Sequence, residues 1–212
     1  MSTSKTKAAG KTVDFRQGQE DLRQELRQGM LEAATRLLTE EGPTALTVRK
    51  VADAVNCSTT LLYSLFGGKD GLSNELYLEG FARMEAALAA VPPQSMGLQR
   101  LHALAHAYHQ YARNNPSYYM VMFGDALAGF VPPVESRTQS WKSMAVLIEA
   151  CDEAMKQGVL APGNATAAAR LLWAAMHGAV SLELKGYYLK TERADELFES
   201  AVQAVLGHLQ KS

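Results

Sequence analysis

The sequence predicts an all-α protein, and three observations support that fold class. Apolar residues recur at the three- and four-residue spacing of amphipathic helices from about residue 21 onward. No stretch alternates apolar and polar residues in the way that is typical of strands. Pairs such as Gly42-Pro43 and Pro92-Pro93 separate the apolar segments, as expected where helices end.

The composition excludes several classes of protein. The 212 residues are 47% hydrophobic and 20% charged, with a net charge of -1, which is unlike a disordered, collagen-like or histone-like chain. No apolar run reaches the roughly 18 residues of a membrane span, and no apolar signal segment follows the N-terminus, so no membrane partner is expected. Cys57 and Cys151 are the two cysteines, and their wide separation is typical of a protein of the reducing cytoplasm.

The N-terminal part of the chain predicts an arm followed by a helix. Residues 1–19 include basic residues at positions 5, 7, 11 and 16 and almost no large apolar side chain, which predicts a flexible basic arm. A helical stripe of apolar residues begins after Asp21 and stops before Gly42-Pro43. One amphipathic helix is therefore predicted between those points.

Two short helices and one long helix are predicted next. The short segments cover 47–55 and 59–66, and Thr47 and Ser58 are suited to be their N-caps because a side-chain oxygen there can accept a backbone N–H. The long helix is predicted over 69–91. Further helices are predicted over 95–114, 116–123, 134–157, 164–189 and 193–210.

The stretch 46–72 has the pattern of a helix-turn-helix. In this motif the second helix enters the major groove of DNA and the first crosses the phosphate backbone. Short donors and acceptors suited to base edges lie early in the second helix, at Thr59, Thr60 and Ser64. Groups suited to phosphates are Thr47, Arg49, Lys50, Tyr63 and Lys69, and the N-cap Ser58 is a further candidate DNA-binding residue. Any short helical hairpin can carry caps and polar residues, so the pattern alone leaves a purely structural role open.

The same stretch resembles the DNA-binding domain of TetR-type transcriptional regulators. In that family a helix ending in glycine is followed by T-x-x-x-[IV]-A and then by S-x-x-x-L-Y-x-x-F-x-x-K-x-x-L. The sequence matches this pattern at Gly42, Thr47, Val51, Ala52, Ser58, Leu62, Tyr63, Phe66, Lys69 and Leu72, and the resemblance covers about residues 21–90. It implies that Tyr63 and Lys69 contact phosphates and that the face of Thr59, Thr60 and Ser64 lies in the groove.

The sequence departs from the family pattern at three positions. Asn56 stands where glycine is usual in the turn, and asparagine is the other residue that tolerates a left-handed conformation. Leu61 and Leu65 replace residues that are usually polar or aromatic. Their apolar side chains are suited to contact a thymine methyl group.

The remainder of the chain has no catalytic signature, so an enzyme is not expected, and neither a cofactor nor a metal is implied. It resembles TetR-type C-terminal domains with the pattern W-x-x-x-H-G, here Trp173, His177 and Gly178. That resemblance implies a repressor that responds to a ligand.

The last two helices predict a dimer interface. Residues 171–182 contain no charge, and a helix that is apolar all round is buried on more than one side. Pairing with a second copy would form a four-helix interface, whereas the alternative is that both helices complete a monomer core. The candidate interface residues are Ala175, Ala179, Leu182, Phe198, Ala201, Val202, Val205 and Leu209.

The middle helices predict a ligand pocket. Aromatic and methionine side chains with a few polar tips suit a small ligand that is largely apolar or aromatic, although aromatics at helical spacing also occur in ordinary cores. The candidate lining residues are Tyr108, Tyr111, Tyr119, Met122, Phe123, Trp141, Met144, Trp173 and His177.

Three histidines offer an alternative site. The spacing of His102, His106 and His109 puts the three imidazoles on one side of a helix, where they could share a metal ion. They lie beside the main apolar stripe of that helix, so a solvated boundary is the other interpretation.

Together these features predict three parts: an arm over 1–19, a helix-turn-helix domain over 20–68 and a helical ligand-binding and dimerisation domain over 69–212. The expected function is that of a homodimeric TetR-type repressor of the cytoplasm, which a ligand releases from a palindromic operator on double-stranded DNA. The alternatives are a helical enzyme or carrier without operator binding and a metal-responsive regulator.

Overall fold

The computed structural model describes residues 15–92, 97–124, 127, 129–188 and 191–210, with the side chains of 191 and 192 left out. The first four helices are α1 (Phe15–Glu40), α2 (Val48–Ala54), α3 (Thr59–Phe66) and α4 (Lys69–Ala89). The others are α5 (Gly97–Asn114), α6 (Pro116–Phe123), α7 (Val134–Ser140), α8 (Ala145–Lys156), α9 (Ala165–Leu184) and α10 (Thr191–Gln210). Short 3-10 turns cover Pro43–Ala45 and Trp141–Met144. No strand occurs within these residues, and the all-α prediction is confirmed.

The start of α1 differs from the predicted arm. Residues 1–14 lie outside the described part of the chain, but 15–19 are helical, so the predicted boundary at 19 is wrong. Side-chain pairs four residues apart support this first part of the helix. Gln17 Nε2 donates to Asp21 Oδ1 at 2.7 Å, and Gln24 Nε2 donates to Glu20 Oε1 at 3.2 Å.

The helix predicted over 134–157 is two helices with a 3-10 turn between them. The Ser140 hydroxyl donates to the Arg137 carbonyl at 2.7 Å, and the Ser143 hydroxyl donates to the Ser140 carbonyl at 2.7 Å. Hydroxyls that bond to carbonyls three residues back compete with helical hydrogen bonds and bend the chain. This break places the half-exposed Trp141 and the buried Met144 beside α4 and α9.

Helix α9 also ends before the predicted residue 189. Gly186 has a φ of +75°, and the Tyr187 N–H donates to the Leu182 carbonyl at 3.0 Å. This six-residue closure with a left-handed glycine is a Schellman motif, which ends the helix at Leu184.

Two hydrophobic cores organise the fold. The core of the N-terminal unit joins α1, α2 and α3 to the first half of α4 and to α6; it includes Leu38, Val51, Leu62, Leu76 and Tyr118. The larger core joins α5, α8, α9 and α10 to the second half of α4 and to α6. Helices α4 and α6 therefore contribute to both cores, and the N-terminal unit packs on them rather than ending at residue 68. In the described ranges, no helix is long and apolar enough to cross a membrane.

Candidate nucleic-acid interface and ligand cavity

Side-chain caps define the two short helices. Thr47 Oγ1 accepts from the Lys50 N–H at 3.2 Å, and Ser58 Oγ accepts from the Leu61 N–H at 3.2 Å. Each cap satisfies a backbone donor that a helix leaves free in its first turn. Asn56 has a φ of +53°, so the turn between α2 and α3 uses the left-handed conformation that the sequence predicts for it.

Helix α3 presents one face to the core and the other to solvent. Leu62, Leu65 and Phe66 are buried against α1 and α4. The opposite face exposes Thr59, Thr60, Tyr63 and Ser64, and the Ser64 hydroxyl donates to the Leu61 carbonyl at 2.8 Å. The candidate groove-facing residues therefore share one exposed surface. Leu61 is half-buried beside it.

Leu65 does not belong to this surface. Its side chain is only 6% exposed because it packs in the core of the N-terminal unit. The prediction that it contacts a thymine methyl group is therefore wrong.

Two arginines of α1 hold the C-terminal end of α3. Arg23 Nη2 donates to the Ser64 carbonyl at 3.0 Å, and Arg27 Nη1 donates to the Leu65 carbonyl at 2.6 Å. Arg27 also pairs with Glu75 of α4 at 2.5 Å and lies 4.7 Å from the ring centre of Phe66. Cations are favourable at helix C-termini, where carbonyls lack helical partners.

The helix-turn-helix pattern does not indicate these arginines, because they lie on α1, outside that motif. Their four-residue spacing beside the buried stripe is the signal that could have found them. They position α3 relative to α1 and α4.

The candidate phosphate-binding cations differ in their partners. Arg49 lies 4.0 Å from Asp53 with both side chains exposed, and Lys50 pairs with Glu41 at 2.5 Å. Lys69 is exposed at the first turn of α4 and has no ion-pair partner among the residues described. Its ammonium group is therefore the most available of the three cations.

The corner between α3 and α4 depends on glycine. Gly67 closes α3 with a φ of +75°, and Gly68 follows with a φ of +115°. A Cβ atom on Gly71 would lie 1.6 Å from the Phe66 carbonyl oxygen, so no side chain fits there without a backbone shift. This close approach sets the angle between α3 and the long helix.

A cavity of about 180 Å³ lies between α4, α6, α7 and α9. Five of the nine predicted pocket residues line it: Met122, Phe123, Trp141, Met144 and Trp173. The wall also includes six residues that the sequence did not indicate: Tyr77, Phe81, Met84, Arg137, Ser140 and Ser143. The spacing of 77, 81 and 84 on one face of α4 could have indicated them.

The other predicted pocket residues do not line this cavity. Tyr111 is buried, and its hydroxyl donates to the Gly80 carbonyl at 2.7 Å. Tyr108, Tyr119 and His177 form a hydrogen-bonded cluster behind the wall. Tyr119 Oη lies 2.6 Å from His177 Nδ1 and 3.0 Å from Tyr108 Oη.

Burial favours the uncharged forms of this cluster. Burial, with a smaller contribution from Lys185, lowers the pKa of His177 below its usual value. Burial also raises the pKa of Tyr119 to about 12 and that of Tyr108 well above its usual value. The His177 ring lies 5.4 Å from the ring centre of Trp173, so the cluster supports the cavity wall from behind.

The three histidines of α5 do not converge on one point in the described structure. His109 is buried, its Nε2 lies 2.7 Å from a Glu183 carboxylate oxygen, and its ring stacks on Phe198 at 4.1 Å. Glu183 also pairs with Arg113 at 2.5 Å. No group of three or more metal-ligating side chains occurs in the described ranges, so His102, His106 and His109 are not brought together.

The predicted dimer residues divide into two sets. Phe198 and Val202 are each 1% exposed and belong to the chain's own core, so their assignment to an interface is wrong. Their side of α10 packs on α9 instead. Leu182 is 43% exposed, and the others are half-buried: Ala175, Ala179, Ala201, Val205 and Leu209.

Exposed apolar residues nevertheless remain on these helices. We define the α9–α10 face as the exposed residues Leu171, Ala174, Gly178 and Leu182 of α9 with Leu197 and Ala204 of α10. The three leucines are each between 43% and 46% exposed. Small residues at 174 and 178 leave room for another helix to approach closely.

Two protein-family models match the chain. "Bacterial regulatory proteins, tetR family" matches residues 30–76, and "Tetracyclin repressor-like, C-terminal domain" matches residues 101–205. The chain is 23% identical over 171 residues to "Uncharacterized HTH-type transcriptional regulator YobS" of Bacillus subtilis (strain 168), which covers 81% of this chain and 84% of that protein.

Solved structures share the fold. A protein with unknown function from Rhodococcus sp. RHA1 has a TM-score of 0.76 at 25% identity, covering 88% of this chain and 96% of that one. The TetR family transcriptional regulator PfmR from Thermus thermophilus has a TM-score of 0.62 at 21% identity, covering 86% of this chain and 99% of that one.

Proposed function

The chain belongs to the TetR family and is a DNA-binding transcriptional regulator, and from this premise we propose that it acts as a homodimeric repressor released from a palindromic operator by a small apolar ligand. The observation that carries the proposal is the outward face of α3. Thr59, Thr60, Tyr63 and Ser64 are exposed together, while the other face of the helix is fixed in a core. We also propose that it acts in the cytoplasm, where bacterial DNA lies.

We assign two roles to the DNA-facing residues. Thr59, Thr60 and Ser64 read base edges in the major groove, and Thr47, Arg49, Ser58, Tyr63 and Lys69 contact phosphates. The positions of Thr47 and Ser58 support this division because both are exposed N-cap residues, and helix N-termini favour phosphate groups. This surface favours a regulator over a helical enzyme or a small-molecule carrier.

Lys69→Ala is expected to weaken binding to all DNA sequences and to lower the salt slope of the binding constant by about one, because one phosphate contact is lost. Thr60→Ala is expected to change the preferred sequence and to leave the salt slope unchanged. Fluorescence anisotropy with labelled DNA over a series of salt concentrations measures both effects. Lys156→Ala, an exposed lysine of α8, is the matched control. An unchanged salt slope in Lys69→Ala would remove Lys69 from the interface.

The cavity supports control by a ligand because α4 and α6, which line it, also pack in the core of the N-terminal unit. Lys69 begins α4, and Tyr77 and Phe81 further along the same helix line the cavity. A ligand that fits one position of α4 better than another shifts the population of the two arrangements and thereby the spacing of the recognition helices.

Helix α6 provides a second connection. Met122 and Phe123 line the cavity, while Tyr118, one turn earlier, lies 2.5 Å from the Thr35 hydroxyl of α1. The contact of α6 with α4 is close, since a Cβ on Gly80 would lie 2.8 Å from Met122 Sδ. Displacement of Met122 by a ligand would therefore press on both helices that support the N-terminal unit.

We assign dimerisation to the α9–α10 face. Three half-exposed leucines and small residues between them form an apolar surface of the kind that pairs across a two-fold axis. Two copies would form a four-helix interface and present two copies of α3 on one side of the dimer.

A further inference from the structure

The charge at the mouth of the cavity identifies the class of ligand, given the ligand-controlled function proposed above. Arg137 and Trp141 are the exposed members of the wall and mark its opening. Arg137 has no ion-pair partner in the described ranges. No aspartate or glutamate occurs among the described residues that line the cavity.

The hydroxyl groups of the wall already donate hydrogen bonds within the protein. Tyr77 donates to Ser140 Oγ at 3.1 Å, Ser140 donates to the Arg137 carbonyl, and Ser143 donates to the Ser140 carbonyl. The Arg137 guanidinium is therefore the strongest donor that the wall offers to a ligand. Guanidinium groups bind carboxylates through two parallel hydrogen bonds.

The interior limits the size and shape of the ligand. A cavity of about 150 Å³ holds one benzene molecule, and this one measures about 180 Å³. Aromatic and methionine side chains form most of the wall, and Trp141 lies 6.2 Å from Trp173, ring centre to ring centre. The available space therefore suits a single ring or a short branched chain.

Aromatic walls also attract cations, so the sign of the ligand's charge has to be decided by the rest of the site. Arg137 repels a cationic ligand, and the Arg170 guanidinium already lies 5.3 Å from the Trp141 ring centre at the same opening. We propose that the cavity binds a compact apolar carboxylate, with its ring or chain inside and its carboxylate on Arg137.

Phenylacetate, phenylacetamide and phenethylamine provide matched anionic, neutral and cationic probes. The chain contains 2 tryptophans, and both line the cavity, so intrinsic fluorescence reports its occupancy without DNA. We expect phenylacetate to bind at least about tenfold more tightly than the other two compounds. Arg137→Gln should remove that preference by weakening phenylacetate about tenfold while changing phenylacetamide less than twofold.

Lys142→Gln is the matched control, because it removes a neighbouring charge that does not line the cavity, and it should keep the preference. Equal or tighter binding of the amide or the amine, or an unchanged preference in Arg137→Gln, would overturn the proposal, as would the absence of binding by all three probes. Release of operator DNA is measured separately. A neutral or cationic compound that released the protein from DNA would overturn the carboxylate assignment and leave the ligand-controlled function in place.

Discussion

Gly71→Ala is expected to abolish operator binding and to lower the free energy of unfolding by about 3 kcal/mol. The added Cβ would lie 1.6 Å from the Phe66 carbonyl oxygen, and a backbone atom cannot move aside as a flexible side chain can. The end of α3 must then shift away from α4. In a chain of this size such a loss lowers the midpoint of thermal unfolding by roughly 6–12 °C.

Gly29→Ala is the matched control, because Gly29 lies within α1 and a Cβ there meets nothing within 4 Å. Alanine favours a helix over glycine by about 1 kcal/mol, so this variant should be slightly more stable. Thermal unfolding and anisotropy on the same DNA measure both variants. Wild-type affinity in Gly71→Ala would show that the corner does not set the position of α3.

Ala174→Arg is expected to convert the dimer into a monomer and to reduce operator affinity at least about 100-fold. Ala174 lies on the α9–α10 face, where an arginine would have to be buried against the second copy without a partner. A monomer binds one half-site, so it loses the additional affinity that a dimer gains by binding two linked half-sites. Light scattering gives the mass, and anisotropy gives the affinity.

Ala86→Arg introduces the same side chain at an exposed position of α4, away from that face, and should remain dimeric. Thermal unfolding of Ala174→Arg distinguishes a dissociated, folded chain from an unfolded one. A dimer of unchanged stability in Ala174→Arg would place the interface elsewhere.

The local signals of the sequence were sufficient to predict the helix-turn-helix. The predicted range 59–66 matches α3, and the left-handed conformation expected at Asn56 occurs with a φ of +53°. Capping, glycine conformation and helical period act over a few residues, so they are readable from the chain. The resemblance to TetR-type regulators is confirmed by the family matches, whereas membership of the W-x-x-x-H-G subgroup stays a prediction.

Long-range packing could not be predicted in the same way. Phe198 and Val202 have the same apolar character as interface residues, and only the position of α9 decides that they face the core. The break at Trp141 follows from serine hydroxyls that could also have pointed to solvent. Arg27 and the cavity residues of α4 acquire their roles from helices distant in sequence.

Selection of bound fragments from random double-stranded DNA tests most directly the claim that a dimer reads DNA through α3. We expect such a dimer to enrich a two-fold symmetric site whose half-sites lie about 34–36 Å apart or a multiple of that distance. The same selection with Thr60→Ala should return an altered half-site with the same spacing. Enrichment of no sequence, or of a single unpaired half-site, would contradict DNA recognition by a dimer.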